Sequence, residues 1–395
     1  MRVNSVTLRA FRRTATAGTM VLVALLVTFS VTPGTGAAAG APAVEPGIGN
    51  ALAQTALVGP SFANLSLAFT FGRSIAGHQN TVAQASSQAI DLGLVGSTLA
   101  GAGCKPGSKP TLPADQQPHE ARVDSRDAKP TVDEDETFLG GLPMHKHAEA
   151  QTTPFGKAVT TTAPFGVAGV LEIGGGVATS TSGLVGGVRE AKAVSDISGI
   201  KLVGALGLIE LSGLHWEAVW SSRSPNGVVG SFGIASAKIA GTPLPTNNPE
   251  AVLAAANTAL APAGIQLTRP FAHQDGGVLF VDPLGIAVVP SPSRDAVAGA
   301  ALSTKNVQDL RQQVTEALIA QDCGNATYIT IADLVVGSLT GAGNFKIDLG
   351  GVKATSGETP ASGFTFGLPQ LITSGGLDPA VGTGPSTLSP ALTPA

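Results

Sequence analysis

The residues best suited to chemistry gather in one short stretch. His145, Lys146 and His147 are followed by Glu149 and preceded by the run Asp133-Glu134-Asp135-Glu136. On a β-strand alternate side chains share a face, so His145 and His147 would point the same way. Two imidazoles and a carboxylate suit zinc, which makes His145, His147 and Glu149 the candidate metal ligands. The competing reading is a solvated charged loop, because the stretch adjoins an acidic, proline-rich segment and nothing evident would orient the imidazoles. The carboxylate run lacks the loop pattern of an EF-hand and would attract Ca²⁺ only weakly.

Nucleophile motifs are missing. Gly96-Ser97 and Gly230-Ser231 lack the spacing of a nucleophile elbow. Ser198 and Lys201 make one Ser-x-x-Lys, but on a strand a three-residue step puts the two side chains on opposite faces. Gly174-Gly175-Gly176 has no further glycine at the dinucleotide spacing, and Gly156-Lys157 has no upstream glycine to make a P-loop. Such glycines read as bulges or as sites of close sheet packing. The sequence therefore implies no cofactor and assigns no catalytic residue. A dispersed triad leaves no motif, so one alternative is a secreted hydrolase, metal-dependent or not, resting on His145, His147, His215 and His273 with nearby carboxylates. Another is an apolar-ligand carrier, since long sheets with small side chains could enclose a cavity.

Only two cysteines occur, Cys104 and Cys323. In an oxidising compartment an even pair is most simply a disulfide. A catalytic thiol or a metal site is the rival, but neither cysteine has a Cys or His at ligand spacing. A Cys104–Cys323 bond would tie the early part of the mature chain to its late part.

These residues sit in a chain of 395 residues with 51 Gly, 27 Pro, 43% apolar and only 13% charged side chains. Collagen is excluded because the glycines keep no three-residue period. Low charge also opposes bulk disorder, and a net charge of −4 without a basic face opposes nucleic-acid binding. Arg2, Arg9, Arg12 and Arg13 precede the apolar stretch from Met20 to Val31, and Ala37-Ala38-Ala39 offers a cleavage site. Residues 1–39 thus read as a secretory signal peptide. Its core of about 12 residues is short of the ~20 that span a bilayer. Cleavage removes four positive charges, moving the net charge from −4 to −8, and leaves no transmembrane span.

Residues 40–375 read as a single β-rich domain, beginning with an extended lead-in at 40–58 and a strand over Ser61–Phe71. An acidic loop at about 105–150 interrupts it. Between Asp115 and Glu136 lie eight carboxylates and three Lys or Arg, with prolines before and within them. Alternation predicts long facing strands at 188–202 and 208–222, followed by an antiparallel return at 228–241. It places Trp216, Ala218 and Trp220 on one face, and His215, Glu217 and Val219 on the other. The tryptophans read as core anchors or, alternatively, as an exposed patch. Glycan readers usually present aromatic platforms, and with Tyr328 the only tyrosine that supply is thin.

Two amphipathic helices are predicted. Asn248 caps the first, with Pro249 and Glu250 in its opening turn. The second spans about Thr304–Gln321, with Asp309 and Glu316 off its apolar stripe. Short strands are expected at 265–267, 277–281, 284–289, 328–338 and 344–355. Residues 376–395 form a disordered Pro/Thr/Ser tail. The fold class is mainly β (α+β): antiparallel sheets with long hairpins, packed by two amphipathic helices.

Two sets of phrases carry a family resemblance. Gly241-Thr242-Pro243-Leu244-Pro245 stands before Asn257-Thr258-Ala259-Leu260-Ala261-Pro262-Ala263-Gly264-Ile265, and Ala332-Asp333-Leu334-Val335-Val336-Gly337 leads to Leu349-Gly350-Gly351-Val352-Lys353-Ala354. Over about 200–355 the chain resembles exported surface proteins of high-GC Gram-positive bacteria, including the choice-of-anchor P type. The resemblance implies a surface protein and transfers no catalytic residue. Such proteins often end in a membrane anchor, and this chain departs from that pattern. The export signal, the low aromatic and charge content and the missing motifs make the preferred reading a secreted, non-enzymatic envelope or surface protein. It would meet an envelope or extracellular partner through sheet edges or the acidic 105–150 loop.

Overall fold

The computed structural model describes residues 47–62, 65–93, 118–137, 143–167, 171–204, 207–222, 227–289 and 344–358, together with Gly299, Asp309, Gln312 and Glu316. All belong to one compact unit, 44–395. The signal peptide, both cysteines, the strand at 328–338 and the tail fall outside the described residues.

The chain lays down β1 (Gly47–Phe62), β2 (Leu65–Ser66), β3 (Phe69–Gln79), β4 (Val82–Asp91) and β5 (Ala121–Asp124) in a first sheet. It then builds a second sheet from β6 (Thr131–Glu136), β7 (Met144–Gln151), β8 (Phe155–Thr162), β9 (Phe165–Val167), β10 (Leu171–Ile173), β11 (Gly176–Val185), β12 (Val188–Gly204), β13 (Gly207–Ser221), β14 (Val228–Ile239) and β15 (Thr242–Leu244). Helix α1 (Pro249–Leu260) follows, and the chain returns to the first sheet as β16 (Ile265–Thr268), β17 (Ala272–Asp275), β18 (Val278–Val281), β19 (Leu284–Val288), β20 (Asn344–Leu349) and β21 (Val352–Glu358). The protein is mainly β, and its strands pair antiparallel throughout both sheets.

The β12–β13–β14 meander forms as its alternation predicts. Trp216 and Ala218 are fully buried and Trp220 packs against the core, so the tryptophans are anchors. Two expectations fail nearer the start. Within the lead-in expected at 40–58, the described residues 47–58 belong to β1, a central strand with β3 on one side and β20 and β21 on the other. Ser61–Phe71 is not one strand: its described residues hold the end of β1, all of β2 and the start of β3. The acidic stretch also holds regular structure, namely β5, β6 and β7.

The expectation of two amphipathic helices is not borne out. One is described: α1, 12 residues, continued by a 3-residue 3-10 turn at Ala261–Ala263. Asn248 Oδ1 accepts from the Ala251 N–H at 3.2 Å, which satisfies a donor that the first turn would otherwise leave unpaired. Val252, Leu253, Ala256 and Leu260 face the core. The Asn257 side chain donates to the Leu267 carbonyl and accepts from its N–H, which ties α1 to β16. In the span expected for the second helix, the described residues are Asp309, Gln312 and Glu316, each helical and exposed.

The interior has two characters. Around Trp216 it is bulky: Ile197, Ile200, Leu202, Ile209, Leu211 and Leu214 meet Leu260, Leu284 and Leu349. Toward β7 and β8 it is built of small residues, among them Ala83, Ala85, Ala148, Ala150 and Ala158. Their size lets the backbones approach. A Cβ added to Gly156 would stand 2.5 Å from the Gln84 carbonyl oxygen of the opposite sheet. Buried hydroxyls need partners, and here they stitch the sheets together. Ser74 donates to the Ala178 carbonyl at 2.8 Å, Ser180 to the Ser74 carbonyl at 2.9 Å, Thr160 to the Arg73 carbonyl at 2.9 Å and Ser195 to the Gln54 carbonyl at 2.8 Å.

A crease crosses both sheets. In the first, β20 and β21 continue one register along β1 although Gly350 and Gly351 interrupt them, and β18 and β19 do the same across Asp282-Pro283. Gly350 has φ +69°, and an added Cβ would run into the Trp216 ring. The Trp216 indole N–H donates to the Asp282 carbonyl at 3.1 Å. In the second sheet the ladders skip at Ala163-Pro164, at Gly174-Gly175, between Ser198 and Gly213, and between Gly213 and Ala235.

Candidate functional site

His145, His147 and Glu149 lie on β7 and share its outer face, as a strand requires. β6 pairs alongside with Asp135 opposite His145 and Asp133 opposite His147. Each imidazole is turned to those carboxylates. His145 Nδ1 is 3.0 Å from Asp135, and His147 Nδ1 is 3.1 Å from Asp133, while Glu149 stands 3.8 Å from the far side of His147. Among the described residues no group of three His, Cys, Asp or Glu is arranged to hold a metal ion. What the face presents is a cross-strand charge network.

The inner face of the same strands holds a cluster that the sequence reading missed. Lys146 is wholly buried, with its ammonium 2.6 Å from Glu136, 3.0 Å from Glu134 and 3.0 Å from the His119 carbonyl oxygen. His119 Nε2 in turn meets Glu134 at 2.9 Å. Burial alone would push the Glu134 carboxyl up, but the hydrogen bond and charge of Lys146, with His119 behind it, hold it below the usual range. The period-2 alternation of Val132, Glu134 and Glu136 was the available signal. Inward-pointing charges on an edge strand also discourage pairing with another chain.

The remaining candidate histidines stand on separate elements. His273 on β17 lies between Phe271 and Phe280, with ring centroids 4.9 and 5.1 Å away, and its Nδ1 is 3.7 Å from Asp282. Burial raises the Asp282 carboxyl, and the charge of neighbouring Asp348 adds to that. Burial likewise raises Asp348, against the opposing effect of Lys346 at 3.1 Å. His215 on β13 holds Asp196 of β12 at 2.6 Å through Nδ1. β7 and β13 are separated by three strands of the second sheet, and β17 belongs to the first, so these histidines do not form one site.

The crease opens a groove of about 420 Å³ on the outer face of the second sheet. Glu172, Lys201, Glu210 and Lys238 stand opposite one another on β10, β12, β13 and β14, an alternating row of charges along one bank. The Lys201 ammonium is 3.7 Å from Glu172. Ser198, Ser212 and Ser236 also line the groove, the last two with hydroxyls 2.6 Å apart. An added Cβ on Gly174 would fall on the Ser198 hydroxyl, so the glycine is what makes room there. The ladder skip after Ser198 brings it into the same groove as Lys201, against the opposite faces expected of an unbroken strand. Ile173, Ile200 and Leu211 pass through the groove but bury their side chains inward.

No protein-family model matches the chain, and no curated protein matches it. Among the described residues no helix is long and apolar enough to cross a membrane.

Proposed function

We propose that the protein is an exported, non-enzymatic protein of the cell envelope or surface that acts by binding, and that the groove along the crease of the second sheet is its contact site. The observation that carries this reading is the groove itself: a solvent-facing channel with four paired charges and three hydroxyls on elements fixed by antiparallel ladders. The export signal, the expected Cys104–Cys323 bond and the likeness to surface proteins of high-GC Gram-positive bacteria support it from the sequence. The test is co-sedimentation of the purified, secreted protein with isolated envelopes of such a bacterium. Ser236 is exposed, so Ser236→Trp fills the groove without touching the core. The reading expects the wild type to sediment and the variant to remain in solution. Equal sedimentation of both, or of neither, refutes it.

A second reading, a secreted hydrolase, has one observation in its favour. Asp196 holds His215 through Nδ1, the orientation that frees Nε2 to act as a base. The Ser198–Lys201 pair does not strengthen it, because the Lys201 ammonium is turned to Glu172 at 3.7 Å. Ester or glycoside hydrolysis that disappears in His215→Gln would establish this reading.

A further inference from the structure

We infer, resting on the binding reading above, that the groove takes a short stretch of neutral polysaccharide, laid across the strands along the crease. Four features of the groove lead there.

The first is charge. Glu172, Lys201, Glu210 and Lys238 alternate in sign and sum to zero. A polyanion or polycation would meet a repelling group at every second step, whereas hydroxyl groups can donate to the carboxylates and accept from the ammonium groups. The second is period. Neighbouring strands lie about 4.8 Å apart, which is close to the length of one pyranose unit, so each sugar along the crease would find one new charged partner. The row spans three such steps, about 14 Å, enough for a di- or trisaccharide.

The third is the floor. Ser198, Ser212 and Ser236 supply hydroxyls, and the ladder skips at Gly213 break the regular pairing of the backbone beneath them. The fourth is a limited apolar wall: Ile173, Ile200 and Leu211 are 2%, 1% and 1% exposed, which leaves Pro164 as the exposed apolar side chain among the lining residues. An acyl chain or an apolar peptide side chain would gain little there. A peptide strand also advances about 3.3 Å per residue, out of step with the row, and cannot add to the sheet from its face. Without an aromatic ring among the lining residues to stack on, each sugar is held by hydrogen bonds alone, so a single short chain binds weakly.

The test is NMR titration of the isotope-labelled, secreted protein with maltotriose and with cellotriose, against triglycine and glycine betaine as rivals. Dose-dependent shifts confined to residues around Ser198, Ser212 and Ser236 with at least one trisaccharide are expected. Ser236→Trp should abolish them while its melting temperature and far-ultraviolet spectrum stay at the wild-type values. A milder variant, Glu210→Gln, should weaken them. Shifts with triglycine or betaine and with neither sugar overturn the inference. So does silence toward both sugars in a protein that still co-sediments with envelopes through the groove, and in that case the binding reading survives alone. If co-sedimentation is absent as well, both fall.

Discussion

Acidification from pH 7.5 to pH 4 should weaken the fold, in large part through one buried histidine. His78 of β3 is 5% exposed, and its Nδ1 lies 2.8 Å from the Ser182 hydroxyl of β11, between the two sheets. Burial first, and then the charge of Arg189, lower its pKa from 6.5 to about 4. The folded chain therefore keeps this imidazole neutral across a window in which the unfolded chain takes up a proton. The stabilisation is complete above the unfolded pKa of 6.5 and is lost as pH falls toward 4. Lowering a pKa tenfold in acidity constant corresponds to about 1.4 kcal/mol, so the whole window amounts to about 3 kcal/mol. Asp282 and Asp348, both raised, work the other way: folding favours their protonated forms, so their contribution is largest in acid and is lost as pH rises. The difference between wild type and His78→Gln isolates the histidine. Urea unfolding at half-unit steps of pH should show the wild type losing about 3 kcal/mol more than the variant between pH 7.5 and pH 4. Parallel profiles for the two proteins, or a wild type that gains relative to the variant in acid, would refute the reasoning.

Other expectations are open to direct measurement. Lys146→Met should leave the buried Glu136 without its ammonium, with the half-buried Glu134 keeping only His119, and destabilise the protein by about 3–5 kcal/mol in urea unfolding. Adding Glu136→Gln to that variant should recover part of the loss. Gly350→Ala should lower the melting temperature, because φ is +69° and the new methyl meets the Trp216 ring, and the indole fluorescence should shift as the ring is displaced. Gly156→Val should be worse than an ordinary surface change, since its branches have only the Gln84 backbone to enter. If Cys104 and Cys323 are joined, the intact secreted protein weighs two hydrogens less than its reduced form.

What was legible in the sequence follows from what a local pattern can carry. The β12–β13–β14 meander alternates large apolar and polar residues, and Asn248-Pro249-Glu250 spells a helix start, so both are read without tertiary information. β1 was opaque because Gly47, Gly49, Ala51, Ala53 and Ala56 are weak strand formers. They make a strand here because partners on both edges and a second sheet close above demand small side chains. β6 hid behind its charge. Asp133 and Asp135 meet histidines outside while Glu134 and Glu136 meet a lysine inside, and no composition count separates those two faces. The shared face of His145, His147 and Glu149 was foreseeable from alternation, but the opposing carboxylates that occupy the imidazoles depend on register. The groove was hidden for a similar reason. Gly174-Gly175 reads by itself as a bulge or a site of close sheet packing and Gly213 carries no local signal, and only the pairing aligns them into a line.

The hydroxyl-stitched half of the interior bears on how the protein responds to temperature. Exposing apolar surface on unfolding raises the heat capacity, whereas exposing polar surface lowers it. Ser74, Thr160, Ser180 and Ser195, packed among alanines, bring much more polar surface into play than a leucine core of the same extent. The heat-capacity increment should therefore fall below the ~12–15 cal/mol/K per residue of ordinary globular proteins, a quantity that calorimetry reads directly. A smaller increment flattens the stability curve at both ends. Such a sandwich would soften less on chilling than a greasier one, because less of its cohesion depends on the term that fades as water cools.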